Sequence, residues 1–163
     1  MRRTSRRWSR TVALVGTLVA LACGGSTTEV PTDPPEIQPF VGRWDATVFR
    51  VTSVADTTIV ADLIDIGGDF TLNIEPSGTY TAQLSFTATD SLGIQPFVEI
   101  GQLSVAGGFA TLRPTVPPGS PASSAYTFVR EDYLRLEGPT EFDFNLDQEP
   151  DPAQLLTELQ RRN

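Results

Sequence analysis

The stretch DFTLNIEPSGTYTAQLSFT, Asp69 to Thr87, reads with a period of two on both sides of a turn signal. Phe70, Leu72 and Ile74 alternate with Thr71, Asn73 and Glu75; Tyr80, Ala82, Leu84 and Phe86 then alternate with Thr79, Thr81, Gln83, Ser85 and Thr87. Successive side chains of a strand point to opposite faces, so each half has one apolar and one polar side. Between the halves, Pro76 suits the first turn position and Gly78 the left-handed one. The stretch is a β-hairpin with one face for a core and one for water.

The same grammar extends outward in both directions. EIGQLSVAGGFATLRP, Glu99 to Pro114, turns at Gly107-Gly108, and AYTFVREDYLRLEG, Ala125 to Gly138, turns at Glu131-Asp132. EFDFNL alternates again, with Phe142, Phe144 and Leu146 on one side. Upstream, GRWDATVFRV and TTIVADLIDIG supply two more strands. The expectation is an all-β, antiparallel up-and-down arrangement of about eight to ten strands with few helices. A meander this long closes into a barrel to remove its unpaired edges. In the tail, DPAQLLTELQRR carries helix signals: Asp151 as N-cap, Pro152 at the first position, Gln154 for a capping box and arginines at the negative end. We expect a short C-terminal helix burying Leu155, Leu156 and Leu159. The alternative is a closing strand with Leu155, Thr157 and Leu159 inward.

The front of the chain follows different rules. MRRTSRRWSR is basic, and TVALVGTLVALA is an apolar run of twelve residues, well below the ~20 that span a bilayer as a helix. Cys23, the only cysteine, follows at once. Residues 1–22 therefore read as a cleaved export signal. GGSTTEVPTDPPEIQP cannot bury a core, and its prolines favour extended chain, so 23–39 reads as a tether. Residues 40–163 form the domain.

Charge and missing residue types exclude whole chemistries. All twenty acidic residues lie beyond Cys23 against seven arginines, a balance of −13 there, which repels nucleic acid. The chain has no histidine and no lysine. That removes Ser-His-Asp catalysis, imidazole metal sites, Schiff bases and P-loop clamps. A non-enzymatic binding or structural module follows, with no cofactor, no metal and a single copy of the chain. In FDFNLDQEPD, the alternating Asp143, Asn145, Asp147, Glu149 and Asp151 superficially match a calcium loop, but Gln148 stands where glycine is needed and Gln154 where glutamate is needed. Asp143 and Asn145 are then the solvent side of a strand. Asp62, Asp65 and Asp69 flank Gly67-Gly68 and read as surface residues.

Two resemblances sharpen these readings. Val19-Ala20-Leu21-Ala22-Cys23 resembles the lipobox of bacterial lipoproteins, which implies cleavage before Cys23, a diacylglycerol on its sulfur and a membrane partner reached through that anchor. Gly24 in the next position implies delivery to the outer membrane of a Gram-negative bacterium. Ala20-Leu21-Ala22 also fits an ordinary signal peptidase, which would leave a secreted or periplasmic protein. Further on, Gly42-Arg43-Trp44 is similar to the lipocalin G-x-W. NIEPSGTYT, EIGQLSVAGGFATLRP and TFVREDYLRLEG resemble the strand pairs of lipocalin-like lipoprotein domains. This implies a barrel with Trp44 plugging its closed end and Phe70, Leu72, Tyr80, Leu84 and Phe86 lining its interior. The arginine that packs on the tryptophan in that family would be Arg135 or Arg130. The implied role is to bind a small apolar ligand; the alternative is a filled barrel acting as an envelope adaptor through its surface.

Overall fold

Among the described residues a 3₁₀ turn, Gln38–Phe40, leads into nine strands: β1 Gly42–Ser53, β2 Val60–Asp62, β3 Gly68–Ile74, β4 Thr79–Phe86, β5 Phe97–Ala106, β6 Phe109–Val116, β7 Ala122–Arg130, β8 Tyr133–Phe142 and β9 Asp151–Arg162. This is a computed structural model, and it describes residues 33–87, 95–145 and 147–162. Cys23, the export segment and Leu146 lie outside the described residues.

From β3 to β9 every strand pairs antiparallel with the next in sequence, and β9 pairs with β1. The ring is closed, an eight-stranded up-and-down antiparallel barrel with β2 as the extra strand. One flank of β1 carries β9 along its length. The other carries β3 at its start (Gly42↔Ile74 to Asp45↔Thr71) and β2 at its end (Arg50↔Asp62 to Thr52↔Val60). β2 and β3 thus share one slot of the barrel, separated by a turn at Leu63–Gly67. Only Val60–Asp62 of the apolar run TTIVADLIDIG is strand.

The hairpins turn where the sequence places them. At Gly107-Gly108 both residues have positive φ, 58° and 81°, the twist that lets a two-residue turn join right-twisted strands. Ala106 pairs with Phe109 across it.

The tail overturns the expected helix. β9 is a strand of twelve residues, in register over ten positions with β1 and ten with β8. Its helix signals are real but local, each worth about 1 kcal/mol or less. The edges of β1 and β8 would stay unpaired without it, and closing both satisfies two rows of backbone groups at once. Ala153, Leu155, Thr157, Leu159 and Arg161 take the inner face. The expected strand EFDFNL is likewise corrected: Glu141 and Phe142 end β8, and Asp143 begins a loop. The packed region also reaches back before residue 40, because Ile37 is buried in the core beside Phe40.

Candidate functional site

The two ends of the barrel differ. At one end the 3₁₀ turn folds beneath the strands. Phe40 meets Tyr126 and Phe128 edge-on, with ring centroids 5.0 Å apart in each case, and Trp44 lies 6.2 Å from Phe128. Trp44 is 0% exposed, and its indole N–H donates to the Phe40 carbonyl at 2.7 Å. The indole thereby satisfies its one polar atom while its ring seals the floor. Above it lies the Arg161 guanidinium, 4.5 Å from the ring centroid, which also donates to the Pro39 carbonyl. The arginine packed on the tryptophan is therefore neither Arg135 nor Arg130. Arg135 pairs with Glu137 at 2.6 Å, and Arg130 lies over Tyr133. Arg161 was masked by the helix reading, which placed it at a helix terminus. On a strand, the alternation from Leu159 carries it inward.

Above the plug the interior is hollow. A cavity of about 310 Å³ runs from Phe40 and Ile74 on the floor to Phe97, Ala122 and Leu155 near the other end. Its wall is mostly apolar, with Ser124, Thr140 and Thr157 adding hydroxyls and Glu99 the only ionisable side chain among the described lining residues. Phe97, 39% exposed, stands at the upper wall, and Phe70 links it to Phe49 at centroid distances of 6.4 and 4.9 Å. The size lies at the low end of ordinary small-molecule sites.

The polar feature of this wall is built by a glycine. Tyr80 on β4 pairs with Gly101 on β5. A Cβ on Gly101 would collide with the Arg113 carbonyl and lie 2.7 Å from the Tyr80 hydroxyl and ring. The bare backbone at Gly101 is what lets the tyrosine ring lie flat against the strand. Two residues earlier on the same face, Glu99 receives the Tyr80 O–H on Oε1 at 2.9 Å. Burial, and behind it the hydrogen bond and negative charge of Glu99, raise the Tyr80 phenol well above the ordinary tyrosine value. Tyr80 is thus a fixed hydrogen-bond donor.

The residues proposed from sequence for the barrel interior separate into layers. Phe70 and Leu72 line the cavity. Tyr80 reaches it through Glu99. Trp44 lies in the plug beneath. Leu84 is buried in the same core, and Phe86 packs against that core half-buried, neither forming the cavity wall. Glu99, Phe97 and Phe49 were not singled out, and Thr157 entered only through the closing-strand alternative, as an inward residue. The signal for Glu99 was present: Phe97, Glu99, Gly101 and Leu103 stand in phase, which puts a carboxylate on the apolar side of β5.

The acidic candidates serve as loop anchors. Asp62 is not a surface residue: its side chain is 9% exposed, accepts the backbone N–H groups of Phe49 and Ile64 at 3.3 and 3.2 Å, and pairs with Arg50 at 3.3 Å. It pins the β2–β3 turn to β1. Asp65 and Asp69 are exposed. In the β8–β9 loop, Asp143 accepts the N–H groups of Asp147 and Gln148 at 3.2 and 2.8 Å, and Asp147 accepts that of Glu149 at 2.8 Å. These side chains hold a turn that lets Gln148 adopt a φ of 71°; they are not the solvent face of a strand.

No protein-family model matches the chain, and a search of curated proteins returns no relative. Among solved structures the chain is similar to a redesigned beta barrel, b11L5F_LGL, at 10% identity and a TM-score of 0.43, over 77% of this chain and 94% of that one. It is also similar to EF1p2_mFAP2b bound to DFHBI, at 15% identity and a TM-score of 0.44, over 77% of this chain and 95% of that one.

Proposed function

We propose that this protein is a non-enzymatic, lipid-anchored lipoprotein of the cell envelope whose barrel binds a small, largely apolar molecule. The observation that carries the binding part is the cavity of about 310 Å³ above the Trp44 plug. A barrel serving only as a scaffold gains stability from filling that space, since an empty volume forfeits packing contacts. Here Phe49, Phe70 and Phe97 surround the space without occupying it. The filled-barrel adaptor is the weaker reading for this reason.

Anchoring rests on the residues that precede the barrel: the arginine cluster, the twelve-residue apolar run and Cys23 at its end. Two or three acyl chains on one cysteine hold a protein durably, where a single chain holds it only reversibly. Gly24 favours the outer membrane as the destination.

Native mass spectrometry of the purified chain tests the binding. A retained molecule that dissociates on activation is the expected result; a bare chain that also takes up no added hydrophobic probe refutes it. A Cys23→Ala variant tests the anchor, because it should leave the membrane fraction. Continued partitioning with membranes would refute lipid attachment.

A further inference from the structure

We propose that the cavity takes a cationic amphiphile, an amine head on an apolar body of about ten to fifteen non-hydrogen atoms, with the ammonium held by Glu99. This deepens the binding reading above and rests on it. The size follows from the volume, which equals the liquid share of about ten water molecules.

Three observations set the charge of the head. First, Glu99 is the only ionisable side chain among the described lining residues, and no arginine shares the wall with it. A fatty acid or other anion would bring a second negative charge into an apolar space with nothing to neutralise it. Second, Glu99 is half satisfied. Tyr80 donates to Oε1, while Oε2 has no protein donor among the described residues. An ammonium supplies a donor to that oxygen and a counter-charge to a half-buried carboxylate on an apolar wall. Ser124, Thr140 and Thr157 add hydroxyl acceptors to the cavity wall on β7, β8 and β9.

Third, the end away from the plug is acidic. Asp56, Asp62, Asp65, Asp143, Asp147 and Asp151 gather there, with Arg50 paired to Asp62. At the plugged end the charges are mixed: Arg43 and Arg162 pair with Asp45, and Arg130 with Asp132. Such a rim attracts cations towards the hollow end and repels anions.

Isothermal titration of the purified chain with decylamine, 1-decanol and decanoate at neutral pH tests the inference, since the three share a chain and differ in head charge. Decylamine should bind at least tenfold more tightly than decanol, with decanoate weaker than either. Glu99→Gln should bring the amine down to the alcohol while leaving alcohol binding intact, which separates the cavity from the acidic surface that both proteins share. Tyr80→Phe, which keeps the carboxylate, should retain the amine preference; it serves as the reporter if the glutamine variant fails to fold. Decanoate binding as tightly as decylamine overturns the inference, as does an amine preference that survives Glu99→Gln or is lost in Tyr80→Phe. Alcohol binding without any amine preference overturns the head-group assignment and leaves the hollow barrel standing. No binding of any of the three overturns both.

Discussion

The plugged and hollow ends of this barrel are made from the same strands and obey opposite design rules. At the plug, four aromatic rings and an arginine fill the cross-section. The indole N–H has the Phe40 carbonyl, and the guanidinium has the tryptophan face and the Pro39 carbonyl, while the buried Arg161 Nε has no hydrogen-bond partner among the described residues. Halfway up, the same inward register places Ala82, Ala110 and Gly101 among larger residues, and the centre is empty. Stability is concentrated where the barrel is full, and binding capacity where it is not. An eight-stranded barrel is just wide enough to allow either outcome, so side-chain size alone makes the difference between the two ends.

The largest effect belongs to the plug. Trp44→Ala should destabilise the fold by about 3–5 kcal/mol, the range for removing a fully buried aromatic ring, read as a lower midpoint in urea denaturation. A loss under about 1 kcal/mol would mean that the plug is not the keystone of the closed end. Next is Gly101→Val. Its side chain collides with the Arg113 carbonyl and with the Tyr80 ring, so a cost of about 1–3 kcal/mol is expected from overpacking, together with loss of the Tyr80–Glu99 hydrogen bond. A variant with unchanged stability would show that the strand relaxes around the new side chain. Arg161→Ala follows, at about 0.5–2 kcal/mol for the lost contact over the indole, and it should raise the exposure of Trp44 to fluorescence quenchers. Trp44 fluorescence unmoved by this change would sever the proposed pairing.

The comparison also explains what could be read from the sequence. The hollow region was legible in outline because strands facing a cavity and strands facing a core share one period; Phe70, Leu72 and Ile74 read inward on either account. What period cannot give is distance across the barrel, so nothing distinguished Leu72 on the cavity wall from Leu84 off it. The plug was half legible. Trp44 stood out, but its partner lay in β9, where Asp151-Pro152 and Leu155-Leu156 speak for a helix over short range. Only the unpaired edges of β1 and β8 make a strand there, and those edges are a property of the closed ring rather than of any local window. Glu99 was missed for a different reason. A carboxylate at the start of a strand run reads as solvent-facing, and its significance depends on its phase with Phe97, Gly101 and Leu103 on β5.

At the hollow end, alkaline pH probes the polar pair. The folded-state value of Tyr80 lies above its unfolded value of about 10. The neutral phenol therefore contributes fully below that point, and its contribution is lost as pH rises towards the folded value, because there the unfolded chain has released a proton that the native one retains. Urea midpoints should fall from about pH 10 upward, and Tyr80→Phe should flatten that decline. Parallel declines in the two proteins would show that folding does not raise the Tyr80 phenol.

The smallest stability effect carries the most information about the contrast. Ala82 lines the cavity and stands opposite Glu99 across the β4–β5 pair. Ala82→Leu adds apolar volume to empty space, so its gain from burial offsets its steric cost, and the stability change should stay within about 1 kcal/mol of zero. A comparable enlargement in a filled core costs about 1–3 kcal/mol. The same variant should take up markedly less decanol or decylamine, because the added side chain occupies part of a volume of only about 310 Å³. Stability and uptake should move independently here and together at Trp44. A large destabilisation by Ala82→Leu, with binding unchanged, would mean that the two ends are packed alike and that any ligand sits elsewhere.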